Sequence, residues 1–162
     1  MFRSCLHHFR LLLPALLLIG CAHNPAQLSS VSPTSAATNE QRITQALSAQ
    51  HQAWAGVPHR WGGNSKQGID CSALVQLTYR DHFAVALPRT TAEQVQIGSP
   101  IRRSAIAPGD LVFFKTGANV RHVGMMLDEI TFLHTSYSRG VMLSRLDNPY
   151  WSANYWQARR VL

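Results

Sequence analysis

The chain has 162 residues, with 15 Lys and Arg against 8 Asp and Glu and a formal net charge of +7. This length suits one ordinary domain with an extension and is too short for several independent cores. The basic residues are scattered, with Arg102-Arg103 and Arg159-Arg160 the only adjacent pairs. No stripe of the kind that tracks a nucleic-acid backbone is present, so a nucleic-acid partner is not expected. A mildly basic surface fits an anionic polymer or membrane face as well as it fits plain solvation.

The first 21 residues read as an export signal. Arg3 and Arg10 precede the apolar run Leu11 to Ile19, which falls short of the about 20 apolar residues that span a bilayer. The tetrad Leu18-Ile19-Gly20-Cys21 resembles the lipobox of bacterial lipoproteins. That resemblance implies a signal peptide over residues 1–20, lipidation of Cys21, and anchoring on the periplasmic side of the envelope. Ala22 after the cysteine favours the outer membrane over the inner by the same resemblance. Residues 22–38 are rich in Ala, Ser and Pro and carry no charge, the composition of a tether with a root-mean-square span of roughly 23 Å. A domain over residues 39–162, monomeric, follows.

That domain should open with a helix from about Asn39 to Ala55. Thr38 and Gln41 fit a capping box, Ile43, Ala46, Leu47, Gln50 and Trp54 mark one face, and Gly56 stops it. A loop through His59-Arg60-Trp61-Gly62-Gly63-Asn64 leads to a central helix from Cys71 to His82, with Asp70 at its N-cap. A shorter helix begins with the box Thr90-x-x-Glu93 and ends at Gly98. From Pro108-Gly109-Asp110 the period becomes that of strands: Leu111 to Phe114, Arg121 to Leu127, Ile130 to Ser136, Val141 to Leu146, and a last one near Trp156 to Val161. Helices followed by an antiparallel meander make an α+β domain.

Cys5 leaves with the signal and Cys21 is capped by lipid, so Cys71 remains the one free thiol in a compartment where cysteines usually form disulfides. At a helix start the unpaired N–H groups and the helix dipole favour a thiolate, and a lowered Cys71 pKa is expected. A small buried residue packing a helix start is the plainer alternative. His122 and His134 lie on neighbouring strands at even positions, so they share a sheet face only if the loop between them is odd in length. A three-residue loop of Asp128, Glu129 and Ile130 places His134 opposite Gly124 and diagonal to His122, about 7–8 Å apart at the backbone. A thiol, a histidine to take its proton and a polar group to orient that histidine form the working set of cysteine hydrolases.

The segments Arg60-Trp61-Gly62-Gly63, Gly68-x-Asp70-Cys71-Ser72, Leu87-Pro88-Arg89-Thr90, Pro108-Gly109-Asp110-Leu111-Val112-Phe113-Phe114, His122-Val123-Gly124 and Phe132-Leu133-His134 run in order through residues 40–162. In these the chain resembles the NlpC family of cell-wall cysteine peptidases. The resemblance implies a papain-like α+β fold and hydrolysis of peptide bonds in the stem peptides of peptidoglycan. By motif, Cys71 is the nucleophile, His122 the base and His134 the third polar residue. Where relatives commonly carry a tyrosine before Arg-x-Gly-Gly, this chain has His59. Substrate and oxyanion contacts are expected from His59, Ser72, Arg60 and Arg89, the arginines either binding substrate carboxylates or serving as structural ion-pair partners. No cofactor and no metal is expected, since no short-spaced ligand pair such as C-x-x-C occurs. A non-catalytic binding lipoprotein, a zinc site from the same three residues and an acyltransferase on the same fold remain alternatives.

Overall fold

A computed structural model describes residues 33–162. Helix α1 runs Pro33–Trp54, the hairpin strands β1 and β2 are Asn64–Ser65 and Gly68–Ile69, α2 is Cys71–Phe83 and α3 is Thr91–Gln94. Strand β3 (Ser99–Ile101) and a 3-10 turn (Arg103–Ala105) precede β4 (Leu111–Lys115), β5 (Arg121–Met126), β6 (Thr131–Ser136) and β7 (Gly140–Arg145). Helix α4 (Pro149–Asn154) and β8 (Tyr155–Arg160) close the chain. The six longer strands form one antiparallel sheet in the order β3-β8-β4-β5-β6-β7. This is the α+β, papain-like architecture that the motifs imply.

Three local expectations need correction. Residues 33–38 are helix rather than tether, and Thr38 lies inside helix α1 instead of capping it. Ala36 and Ala37 extend the helix readily. Helix α3 ends at Gln94, well before Gly98, because the chain turns into β3. The Asn148-Pro149 pair opens a helix: Asn148 caps α4 by accepting from the Tyr150 N–H at 3.0 Å.

Both faces of the sheet are covered, which is why Leu111 to Phe114 form an unbroken apolar run. Leu111, Phe113, Val123, Met125 and Leu133 pack with Ile43 and Leu47 of α1 and Ala73, Leu74 and Tyr79 of α2. Val112, Phe114, Met126 and Phe132 face the other way and pack with Leu146, Ala158 and Trp151. The Tyr79 hydroxyl donates to the Gly109 carbonyl, and burial drives its pKa well up. Asp110, 1 % exposed, accepts two bonds of 2.8 Å from Arg160, tying β8 to the turn that launches β4.

The loop carrying His59 is sewn to the start of β7. Gly56 N–H donates to Val141 and Val141 N–H to Val57, both at 2.9 Å. Gly140 is needed twice over there: its φ is 71°, and a Cβ would meet the Val57 carbonyl oxygen at 2.2 Å.

Candidate active site

Asp70 caps α2 as its sequence position suggests, accepting from the Ala73 N–H at 2.8 Å. It also accepts from the Ser72 hydroxyl at 3.0 Å, the Gly62 N–H at 3.1 Å and, in a two-pronged bond, from Arg89 Nη2 at 2.6 Å and Nη1 at 2.9 Å. Burial pushes the Asp70 carboxyl up, but Arg89 and the Ala73 N–H outweigh it and hold it below the usual carboxylate range. Arg89 further donates to Ser72 Oγ and the Gly63 carbonyl. Its guanidinium is therefore committed to the α2 cap, the structural role, and neither Arg89 nor Ser72 lines the cleft beside Cys71. Arg60 also lies outside that lining; its aliphatic stem covers Gly68, where a Cβ would meet Arg60 Cβ at 2.6 Å.

Cys71 is 7 % exposed and its sulfur lies 3.8 Å from the Thr91 hydroxyl. A second contact comes from the backbone of Val123, next in the chain to His122. Beside Val123 the β5–β6 ladder is registered only at Met125–Leu133 and Met126–Phe132. The expected low pKa does not hold. Burial raises the thiol above its ordinary value, the Asp70 carboxylate adds to the rise, and the bonds from Val123, Thr91 and Ser72 only moderate it. The capping carboxylate that starts the helix is itself a charge opposing the thiolate.

The histidines meet through the hairpin. Leu127 and Thr131 close it with a 2.8 Å backbone bond, leaving a turn of 128–130, with Met125 opposite Leu133 and Met126 opposite Phe132. His122 Nε2 lies 3.0 Å from His134 Nδ1, with the rings at 85°. The room left by Gly124 is used by Phe132, whose Cδ2 would lie 2.5 Å from a Cβ there, rather than by the imidazoles. His134, 1 % exposed, places its other nitrogen 2.8 Å from Ser144 Oγ. Trp151 of α4 stacks on His122 at 5.4 Å and meets His134 edge-on at 4.9 Å.

Burial lowers the His122 pKa to about 4, with His59 nearby adding to the fall, and burial holds His134 well below its usual value. Both rings are neutral near pH 7. His59 sits between Trp61 and Tyr137, 5.0 and 5.4 Å between ring centroids, and burial lowers its pKa too, against a raising influence from Asp70. Cys71, His59, His122 and His134 open on one cleft of about 1010 Å³, whose rim carries Trp61, Tyr137 and Tyr150. Among the described residues, no three His, Cys, Asp or Glu side chains converge as metal ligands. Sequence reasoning missed Thr91, Ser144 and the stacking of Trp151.

A buried thiol at a helix start beside a bonded histidine pair on an antiparallel sheet is consistent with the class the fold belongs to, the cysteine peptidases of papain-like fold. The NlpC/P60 family model matches residues 56–160, and the chain belongs to that family. It is 45% identical over 161 residues to "Probable endopeptidase NlpC" of Escherichia coli, covering 98% of this chain and 99% of that protein. It is 47% identical over 113 residues to "Murein DD-endopeptidase MepS/Murein LD-carboxypeptidase" of Escherichia coli, covering 70% of this chain and 60% of that one. The crystal structure of an NlpC/P60 family protein from Bacillus cereus superposes with a TM-score of 0.66 at 28% identity, over 74% of this chain and 40% of that one.

Proposed function

We propose that the chain is a peptidoglycan endopeptidase that hydrolyses amide bonds of stem peptides or cross-links, with Cys71 as nucleophile, His122 as base and His134 as its orienting partner. The observation that carries this reading is the convergence of Cys71 and the bonded His122–His134 pair on one cleft. The murein and endopeptidase activities named for the Escherichia coli relatives give the substrate class.

The resting pair is a thiol and a neutral imidazole, since burial disfavours both ions. Proton transfer then accompanies attack. The Cys71 sulfur bonds to the carbonyl carbon as its proton passes to His122, and His122 returns the proton to the nitrogen when the C–N bond breaks. Water hydrolyses the thioester, releasing the carboxylate and restoring the thiol. With His122 Nε2 held by His134, Nδ1 is the nitrogen that serves the thiol. The Cys71 backbone N–H, in the first turn of α2, supports the oxyanion together with the His59 ring at the cleft wall.

The lipobox-like tetrad supports anchoring through Cys21 on the periplasmic side of the outer membrane, but lies outside the described residues; no helix among those described is long and apolar enough to cross a membrane. The test is incubation of the purified chain with muropeptides of known structure, followed by mass analysis. Products shortened at one peptide bond, absent with Cys71→Ala, are the expected result. Unchanged muropeptides with the native chain would leave the binding-protein alternative standing.

A further inference from the structure

Ser144 lies on β7 opposite Phe132, and the register Phe132–Ser144 and His134–Met142 makes it the diagonal neighbour of His134 on the same sheet face. A neutral imidazole has one N–H and one lone pair. Both nitrogens of His134 are engaged, Nδ1 with His122 Nε2 at 3.0 Å and Nε2 with Ser144 Oγ at 2.8 Å, in a ring that is 1 % exposed. Two proton arrangements satisfy these bonds. In one, Ser144 donates to His134, which donates from Nδ1 to His122, and the single proton of His122 is left on Nδ1. In the other, His122 donates from Nε2 to His134, which donates from Nε2 to Ser144, and Nδ1 of His122 carries a lone pair.

We propose that Ser144 is a positioning residue whose hydroxyl accepts the His134 Nε2–H, fixing the His134 tautomer and so keeping a lone pair on Nδ1 of His122. The proposal rests on the catalytic reading above. Reaction chemistry selects this direction. Once His122 has taken the thiol proton it bears N–H on both nitrogens, so Nδ1 of His134 must accept and the His134 proton must sit on Nε2. Ser144 Oγ is the acceptor in contact with that proton. Ser144 is half-buried at the cleft wall, so its own O–H can turn toward the cleft while its oxygen receives the bond. Removing the hydroxyl leaves a buried N–H without an acceptor in the state that follows proton transfer, and also frees His134 to take the other tautomer.

The test uses the full chain with ¹⁵N-labelled histidine. Two-bond ¹⁵N–¹H spectra of the native protein should show His134 as the Nε2–H tautomer, and a Nδ1–H tautomer would overturn the proposal. Ser144→Ala should lower kcat by roughly ten- to hundredfold with little change in KM and with mixed His134 tautomers. Ser144→Thr, which keeps the hydroxyl, should recover most of the loss. A folded Ser144→Ala variant with native kcat and tautomer, or a folded Ser144→Thr variant as impaired as Ser144→Ala, overturns it. If Ser144→Ala does not fold, the native tautomer and the threonine variant decide. Cys71→Ala run alongside separates the two levels: activity surviving in that variant defeats the catalytic reading, whereas its loss beside an unaffected Ser144→Ala defeats only the role of Ser144.

Discussion

Arg89 grips Asp70 with both prongs of its guanidinium, 2.6 Å and 2.9 Å, one residue before Cys71. The pair neutralises the capping carboxylate beside a sulfur that its charge would otherwise oppose more strongly. Arg89→Ala should therefore act twice. It should destabilise the fold by about 1–3 kcal/mol, less than a fully buried pair because the Arg89 side chain is 36% exposed. It should also slow turnover beyond what lost folding explains. Arg89→Lys should not restore either, since an ammonium cannot make the paired bond. Denaturant unfolding and kcat of the two variants check this.

Cys71 should alkylate slowly at about pH 6 and reach half its limiting rate above the pH of a free thiol, near about 8.5, because burial and Asp70 both raise it. Asp70→Asn removes the opposing charge and should speed alkylation at fixed pH, while Thr91→Val removes a stabilising hydroxyl and should slow it. Iodoacetamide rates against pH give the answer, and a fast reaction of the native chain at about pH 6 would contradict the raised thiol.

His122 sets a stability window. Its folded pKa of about 4 lies below the ordinary 6.5, so the unfolded chain binds a proton that the folded chain refuses between those values. Stability should be full above about pH 7, fall by up to about 3 kcal/mol as the pH drops toward 4, and level off below it for this group. The neighbouring His134 shifts in the same direction and steepens the fall. His122→Gln should flatten the curve, as chemical denaturation at about pH 7 and about pH 4.5 would show.

Gly140→Ala should destabilise the domain by about 2–4 kcal/mol, because a Cβ at φ 71° would strike the Val57 carbonyl. The loop holding His59 would be displaced with it. Thermal melting and KM, measured together, should both worsen.

Cys21→Ala should release the protein from membrane fractions into the soluble periplasmic fraction, read by fractionation and blotting. Retention in the membrane would remove the lipid-anchor proposal.

Legibility followed the range of the interaction. Short-range features could be read from spacing: the Asp70 cap, the Thr90–Glu93 box and the three-residue turn that puts His122 and His134 on one face. Ser144 was not legible, because strand alternation gives a face but not which of its residues will meet a given ring on the next strand, and Thr91 was not, because the packing of α3 against the start of α2 is a contact between elements 20 residues apart. The ionisation of Cys71 failed for the same reason. Helix position argued one way, and burial, a property of the whole packed domain, argued the other and prevailed.

The β5–β6 ladder is registered at Met125–Leu133 and Met126–Phe132 and goes no further, and the Val123 backbone beyond it steadies charge on the Cys71 sulfur. On the proposed mechanism, acylation turns that sulfur from a thiol, which develops negative charge as it reacts, into a thioester that cannot, and so removes the charge that the Val123 amide would steady. The Val123 amide is thus a built-in gauge of the enzyme's chemical state: its proton should exchange with solvent faster in the acylated or alkylated protein than in the free one.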